Sequence, residues 1–347
     1  MTTLAQKLLE SPIQSLLFSY SFIVGIFLIL GRRLLLPQFP VYQSLRTQIQ
    51  KAYLAAAAVH YPQLVHRLPV SCSQNEAREI VGIAWKGYLI PGQENIERFV
   101  NVPRNTRRSI VLYAHGGGYA RGEARMYIPY MQRWIKCASE RGLEIVFLSV
   151  EYPLTPKYTH PTQRDAFLNA YRYLLAQGIL PQNIIFMGDS AGGGICINSS
   201  LELNPQSLPQ PNCSILISPW IDMSMRAYDG GNMAVESDFF VMANTAVPAL
   251  ANMFMGAKYS GTDPQVNPLY REAEEVRGLN PQLIFVGAAE FALLDAKEWA
   301  TLCEKAVVAG WGELHVWALG SSFLDPKLRA RSDEKMVEWM IESFERS

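Results

Sequence analysis

The chain has 347 residues, 49% of them hydrophobic and 18% charged, enough to bury the core of one large α/β domain with an appended segment. Lys plus Arg and Asp plus Glu both number 31, so no net field favours an acidic substrate, and no nucleic-acid partner is expected. Cys72, Cys137, Cys196, Cys213 and Cys303 lack C-x-x-C spacing, which argues against a disulfide framework and a structural zinc site.

Residues 11–31 carry no charge, the stretch 16–30 is almost wholly apolar, and Arg32-Arg33 follows at once. This length, with no small-x-small cleavage site, predicts an uncleaved single-pass membrane anchor over residues 1–36. A cleaved signal peptide and an apolar helix packed on the domain are the rival readings. Arg32, Arg33, Arg46 and Lys51 after the segment, against Lys7 and Glu10 before it, put the main domain on the cytoplasmic side by charge bias. Residues 37–78 include an Ala-rich, helix-compatible stretch over 42–68, expected to form a helical cap segment above the site.

The main domain is expected over 79–347. Residues 79–90 have strand composition, and Pro91-Gly92 supplies a turn. A buried strand over 109–114 runs into His115-Gly116-Gly117-Gly118-Tyr119. Glycines after an early strand let backbone N–H groups approach a substrate and face a developing oxyanion. The expected donors are the amides of Gly117, Gly118 and Ala191, with His115 fixing the loop through hydrogen bonds. Taken alone, the segment could also be a plain glycine turn, a reading that the serine motif about 70 residues later makes small.

A helix over 124–140, a strand over 143–150, the loop Glu151-Tyr152-Pro153-Leu154-Thr155-Pro156 and a helix over 163–177 follow. The apolar run Ile184-Ile185-Phe186-Met187 then leads into Gly188-Asp189-Ser190-Ala191-Gly192-Gly193. A strand, G-x-S-x-G and a helix-compatible segment form a nucleophile elbow, which holds a serine hydroxyl out at the tip of a sheet. Ser190 is the candidate nucleophile. The next strand, 213–217, enters Ser218-Pro219-Trp220-Ile221-Asp222. Residues 223–277 lack strand signals and read as a helical cap insertion. A strand over 281–287, a helix over 295–309, a last strand over 313–319 and an amphipathic helix over 333–344 complete the chain. Strands alternating with helices imply a mostly parallel sheet covered on both faces, an α/β fold.

The motifs H-G-G-G-Y, E-Y-P-L-T-P, G-D-S-A-G-G and S-P-W-I-D, in this order from about Val81 to the C-terminus, resemble the hormone-sensitive-lipase-like branch of the α/β-hydrolases. That branch includes arylacetamide deacetylase and steryl acetyl hydrolases. The resemblance implies an α/β-hydrolase fold with an eight-stranded, mostly parallel sheet and a helical cap made partly from the N-terminus. It implies hydrolysis of carboxylic esters of apolar compounds without cofactor or metal, and a membrane location, the endoplasmic reticulum where arylacetamide deacetylase is the guide.

A serine hydroxyl needs a base, ordinarily a histidine oriented by a carboxylate. In this branch the order is Ser, acid, His. The acid falls after the strand 281–287, where Glu290 is favoured by its place in the motif and Asp295 is the reserve. The histidine is expected after the last strand, but Leu319-Gly320-Ser321-Ser322-Phe323 contains none. Ser321 and Ser322 therefore read as the altered histidine position. His315 is read as a packed residue inside the strand 313–319, and His160, His60 and His66 are the other histidines weighed. Three readings follow: a membrane-anchored serine esterase or deacetylase acting on a bulky apolar ester, a lipid or specialised metabolite; a non-hydrolytic cyclase, lyase or isomerase on the same scaffold; and a ligand-binding pseudoenzyme.

Overall fold

The computed structural model describes residues 11–35, 45–60, 70–228, 246–288, 290–311, 315–320 and 324–345. Two helices, α1 (Pro12–Leu35) and α2 (Leu45–His60), come first. They pack antiparallel through Phe18, Phe22, Tyr53, Ala56 and Ala57. The Ser21 hydroxyl lies 2.9 Å from His60 Nε2, and Arg33 donates to Gln48 Oε1 at 3.0 Å. At 1.5 Å per residue α1 is about 36 Å long, sufficient for a bilayer core. Ile13, Leu16, Tyr20, Phe27 and Leu34 are exposed along it.

The stretch 79–90 is not one strand. It folds into a hairpin of β1 (Arg78–Gly82) and β2 (Trp85–Ile90), turned at Ile83-Ala84, with Ala84 at φ 59°. After them come β3 (Arg108–Ala114), α3 (Ile128–Glu140), β4 (Glu144–Val150), α4 (Thr162–Ala176), β5 (Ile184–Asp189), α5 (Ala191–Leu203) and β6 (Cys213–Ile217). The described part of the 223–277 insertion holds α6 (Ala246–Met255) and the short α7 (Ala273–Val276), with no strand among the described residues. Then follow β7 (Gln282–Gly287), α8 (Leu293–Leu302), β8 (Ala306–Trp311) and α9 (Pro326–Glu345).

The eight strands form one sheet in the order β1-β2-β4-β3-β5-β6-β7-β8. β2 runs antiparallel to β1 and β4, and every other pairing is parallel. The central strands are buried along their whole length, as parallel strands covered on both faces must be. One face packs Phe167, Tyr171 and Leu174 of α4, Ile195 of α5 and Trp299 of α8 against Ile184, Phe186 and Ile284. The other packs Met131 and Trp134 of α3 and Trp339 and Met340 of α9 against Ile185, Met187 and Phe285. Alternate residues of each strand thus serve opposite layers, and the loops after β3, β5, β7 and β8 gather at one edge.

The last strand lies earlier than the sequence reading placed it. α8 ends at Leu302, because Cys303 turns extended at φ −100°, ψ 94°. Ala306 to Trp311 then pair in register with Gln282 to Gly287. The helix expected over 295–309 therefore contains most of β8, and the described part of the strand expected over 313–319, from His315 on, is a turn with a 3-10 helix at Trp317–Leu319.

Candidate active site

Ser190 sits between β5 and α5 at φ 50°, ψ −118°, a conformation a side chain adopts only when its surroundings enforce it. Its N–H donates to Ile217 O at 2.8 Å, and its carbonyl accepts from Trp220 N at 2.9 Å. The turn leaves no room for flanking side chains. A Cβ on Gly188 would lie 2.5 Å from the Gly192 carbonyl, and one on Gly192 would lie 2.0 Å from Ala114 O. This crowding explains the small residues on either side of the serine.

The glycine loop after β3 is tied to the elbow through Asp189. Its buried carboxylate accepts from Tyr113 Oη at 2.7 Å, Gly116 N at 2.9 Å and Tyr127 Oη at 3.1 Å. Burial pushes Asp189 up to about 6, opposed by these three donors. His115 is buried, its Nδ1 2.8 Å from the Gly116 carbonyl and its ring stacked on Tyr152 at 4.2 Å. Burial lowers it to about 4, so it is neutral at pH 7 and holds the loop. Gly117 and Gly118 take φ 123° and 62°. The amides of Gly117, Gly118 and Ala191 make no hydrogen bond among the described residues and remain available to an oxyanion. Leu250 of α6 lies over Gly118, its Cδ1 2.7 Å from where a Cβ would stand.

The base position is not empty. His315 Nε2 lies 2.9 Å from Ser190 Oγ, and its Nδ1 lies 3.2 Å from Glu290 Oε2. This corrects the expectation that the chain lacks the histidine. Because β8 ends at Trp311, His315 falls in the loop after the last strand, where a base belongs. Ser321 and Ser322 lie outside the described residues. Of the other histidines, His60 pairs with Ser21 and His160 packs against Phe254 of α6 and Tyr259 at 5.1 and 5.3 Å, with no hydrogen bond to Ser190. His66 lies outside the described residues.

Of the two acids, Glu290 is the one in contact with His315. It is fully buried, and burial raises its carboxyl well above the usual range, opposed by hydrogen bonds from Ser218 and from the amides of Gly287 and Val316. A buried carboxylate beside an imidazole favours a positive charge on the ring. Ser218 was not singled out from the sequence. It sits at φ 47°, donates its N–H to Phe285 O at 2.6 Å, and its hydroxyl accepts from Val316 N at 2.9 Å. One side chain therefore meets both the acid and the residue after His315.

Asp295 is one turn away in α8, and the structure does not bring it to His315. Burial first, then the nearby Asp222, pushes it up to about 8. The folded state thus keeps a proton that the unfolded chain releases above about pH 4, and the group lowers stability progressively as pH rises from there to about 8. Asp295→Asn is expected to remove that slope and raise Tm at pH 8 more than at pH 4, while kcat stays near wild type. Thermal melts across this pH range check it.

The sequence pattern of the α/β-hydrolase fold family matches residues 111–315. An esterase of Acinetobacter venetianus is 31% identical over 205 residues, covering 57% of this chain and 62% of that protein. An acetyl-hydrolase of Streptomyces hygroscopicus is 31% identical over 217 residues, covering 60% of this chain and 67% of the relative. The match thus spans 62% and 67% of these relatives' own length. The crystal structure of an esterase/lipase from an uncultured bacterium superposes with a TM-score of 0.71 at 21% identity, covering 87% of this chain and 99% of that one, which shows a common fold.

Proposed function

Because the chain belongs to the α/β-hydrolase fold family, on its hormone-sensitive-lipase-like branch, we propose that it is a serine esterase or deacetylase. Its substrate in this reading is a carboxylic ester of a bulky apolar alcohol, a lipid or specialised metabolite, and α1 attaches it to a membrane. The observation that carries the reading is the chain of contacts from Ser190 through His315 to Glu290.

Ser190 Oγ attacks the ester carbonyl while His315 Nε2 takes its proton, and Glu290 stabilises the imidazolium that forms. The carbonyl oxygen becomes an oxyanion and receives the amides of Gly117, Gly118 and Ala191. Collapse expels the alcohol, which takes the proton back from His315, and water then releases the acid by the same steps in reverse. Leu250, Tyr119, Phe254, Trp220 and Phe291 supply the apolar surface around these groups. Tyr119 stacks on Phe254 at 3.8 Å and leans on Trp220 at 5.5 Å, and Phe291 lies 4.9 Å from His315. The cyclase, lyase or isomerase and ligand-binding readings drew on a missing histidine, and with His315 beside Ser190 no observation favours them.

A fluorophosphonate probe applied to membranes washed with alkaline carbonate tests both halves. The expected result is a labelled band in the pellet, turnover of p-nitrophenyl acetate, and neither in Ser190→Ala. Absence of labelling overturns the hydrolase; label found wholly in the wash overturns the attachment alone.

A further inference from the structure

We propose that Arg133 is a positioning residue for His315. The inference rests on the reading of His315 as the base. His315 opens a short turn, continued by the 3-10 helix Trp317–Leu319 and ended by Gly320 at φ 72°, ψ 49°. Val316 takes the left-handed conformation at φ 54°, a costly one for a β-branched residue, so the turn needs outside support. Ser218 holds one end through the Val316 amide at 2.9 Å.

The guanidinium of Arg133, reaching over from α3, holds the other. Its Nη2 donates to Leu319 O at 2.6 Å and its Nη1 to Gly320 O at 3.1 Å. These carbonyls end a helical turn and have no partner within it. The remaining donors engage Asp333 of α9, Nε at 2.8 Å and Nη2 at 3.1 Å, and Asp333 also accepts from Trp134 Nε1 at 2.8 Å. A planar fork with fixed donors can hold a carboxylate and two carbonyls together, which a lysine ammonium cannot. Gly320 completes the arrangement, because a Cβ there would stand 2.5 Å from Arg133 Nη2. Arg133 therefore joins the base-bearing turn to two helices packed on the sheet. It touches neither Ser190 nor Glu290, and its effect runs through the placement of the imidazole.

The test compares Arg133→Ala, Arg133→Lys and His315→Ala for kcat, KM and Tm on p-nitrophenyl acetate. Arg133→Ala is expected to lower kcat about 10- to 100-fold with KM nearly unchanged, since a displacement near 1 Å is enough for that loss. Millimolar guanidinium is expected to restore part of the rate, and Arg133→Lys to stay impaired while Asp333 keeps a charged partner. Wild-type kcat in either variant overturns the proposal, as does a loss in Arg133→Ala that guanidinium does not reverse. If Arg133→Ala does not fold, the kcat of Arg133→Lys decides alone. Full activity in His315→Ala overturns the reading of the base itself, whereas an inactive His315→Ala beside an unimpaired Arg133→Lys overturns only the clamp.

Discussion

Replacing His315 with alanine is expected to lower kcat by about 10⁴- to 10⁶-fold, with KM changed far less. The loss follows from position. His315 Nε2 is 2.9 Å from Ser190 Oγ, within reach of the proton that must leave when the hydroxyl attacks. Without the ring the serine remains a neutral alcohol, and only the oxyanion donors and binding still act on the substrate. Glu290→Gln is expected to cost less, about 10³- to 10⁴-fold, because the imidazole stays in place but loses the charge that steadies its protonated form. Ser322→His and Ser321→His are expected to add nothing to the wild type, since His315 Nε2 already lies 2.9 Å from Ser190 Oγ. Single-turnover rates with p-nitrophenyl acetate, measured beside Ser190→Ala, check all four variants. A His315→Ala enzyme with more than about a tenth of wild-type kcat would remove the residue from the mechanism.

Gly117→Ala carries the second large expected effect, a fall in kcat of about 10²- to 10³-fold, comparable to the loss of one oxyanion donor. Gly117 holds φ 123°, which a side chain rarely adopts, and its added methyl would meet the Arg121 carbonyl at 2.1 Å. The loop must turn to relieve that contact, and the amides of Gly117 and Gly118 turn with it. Affinity for a boronic acid transition-state analogue should fall in step with kcat/KM, while KM for the ester moves little. Gly118→Ala is expected to be milder. Its conflict at 2.7 Å is with the end of the flexible Leu250 side chain, although φ 62° still strains the backbone.

Most of this architecture was legible in the sequence because its signals are local. The buried strands β3, β5, β6 and β7 fall within a residue or two of their expected positions, since each is a short apolar run closed by glycine or serine or, after β3, by His115-Gly116. The misreading came where local signals compete. Ala306-Val307-Val308-Ala309 follows α8 with two alanines that fit a helix and two β-branched valines that fit a strand, and pairing with β7 decides for the strand. Leu314-His315-Val316-Trp317-Ala318-Leu319, by contrast, is apolar enough to imitate one. That shift of one element buried the base inside an imaginary strand. The signal that would have corrected it was the β-branched pair Val307-Val308 after the polar Glu304-Lys305 break. Ser218 opens the S-P-W-I-D motif, but nothing local marks its role, and Arg133 had no signal at all, since their partners lie 98 and 186 residues away.

The packing around Ser190 also bears on how such a chain can diversify. Gly188, Gly192, Gly193 and Gly194 each face backbone or side-chain atoms within 2.9 Å of any added carbon. Random variation there is expected to yield unfolded protein rather than altered selectivity. α6 also buries Val247, Ala251, Phe254 and Met255, but Leu250 is only partly buried and reaches the glycine loop with the end of a flexible side chain. A library confined to Leu250 should therefore alter which esters fit while the residues beneath stay constant, whereas changes between 188 and 194 would be spent on inactive chains.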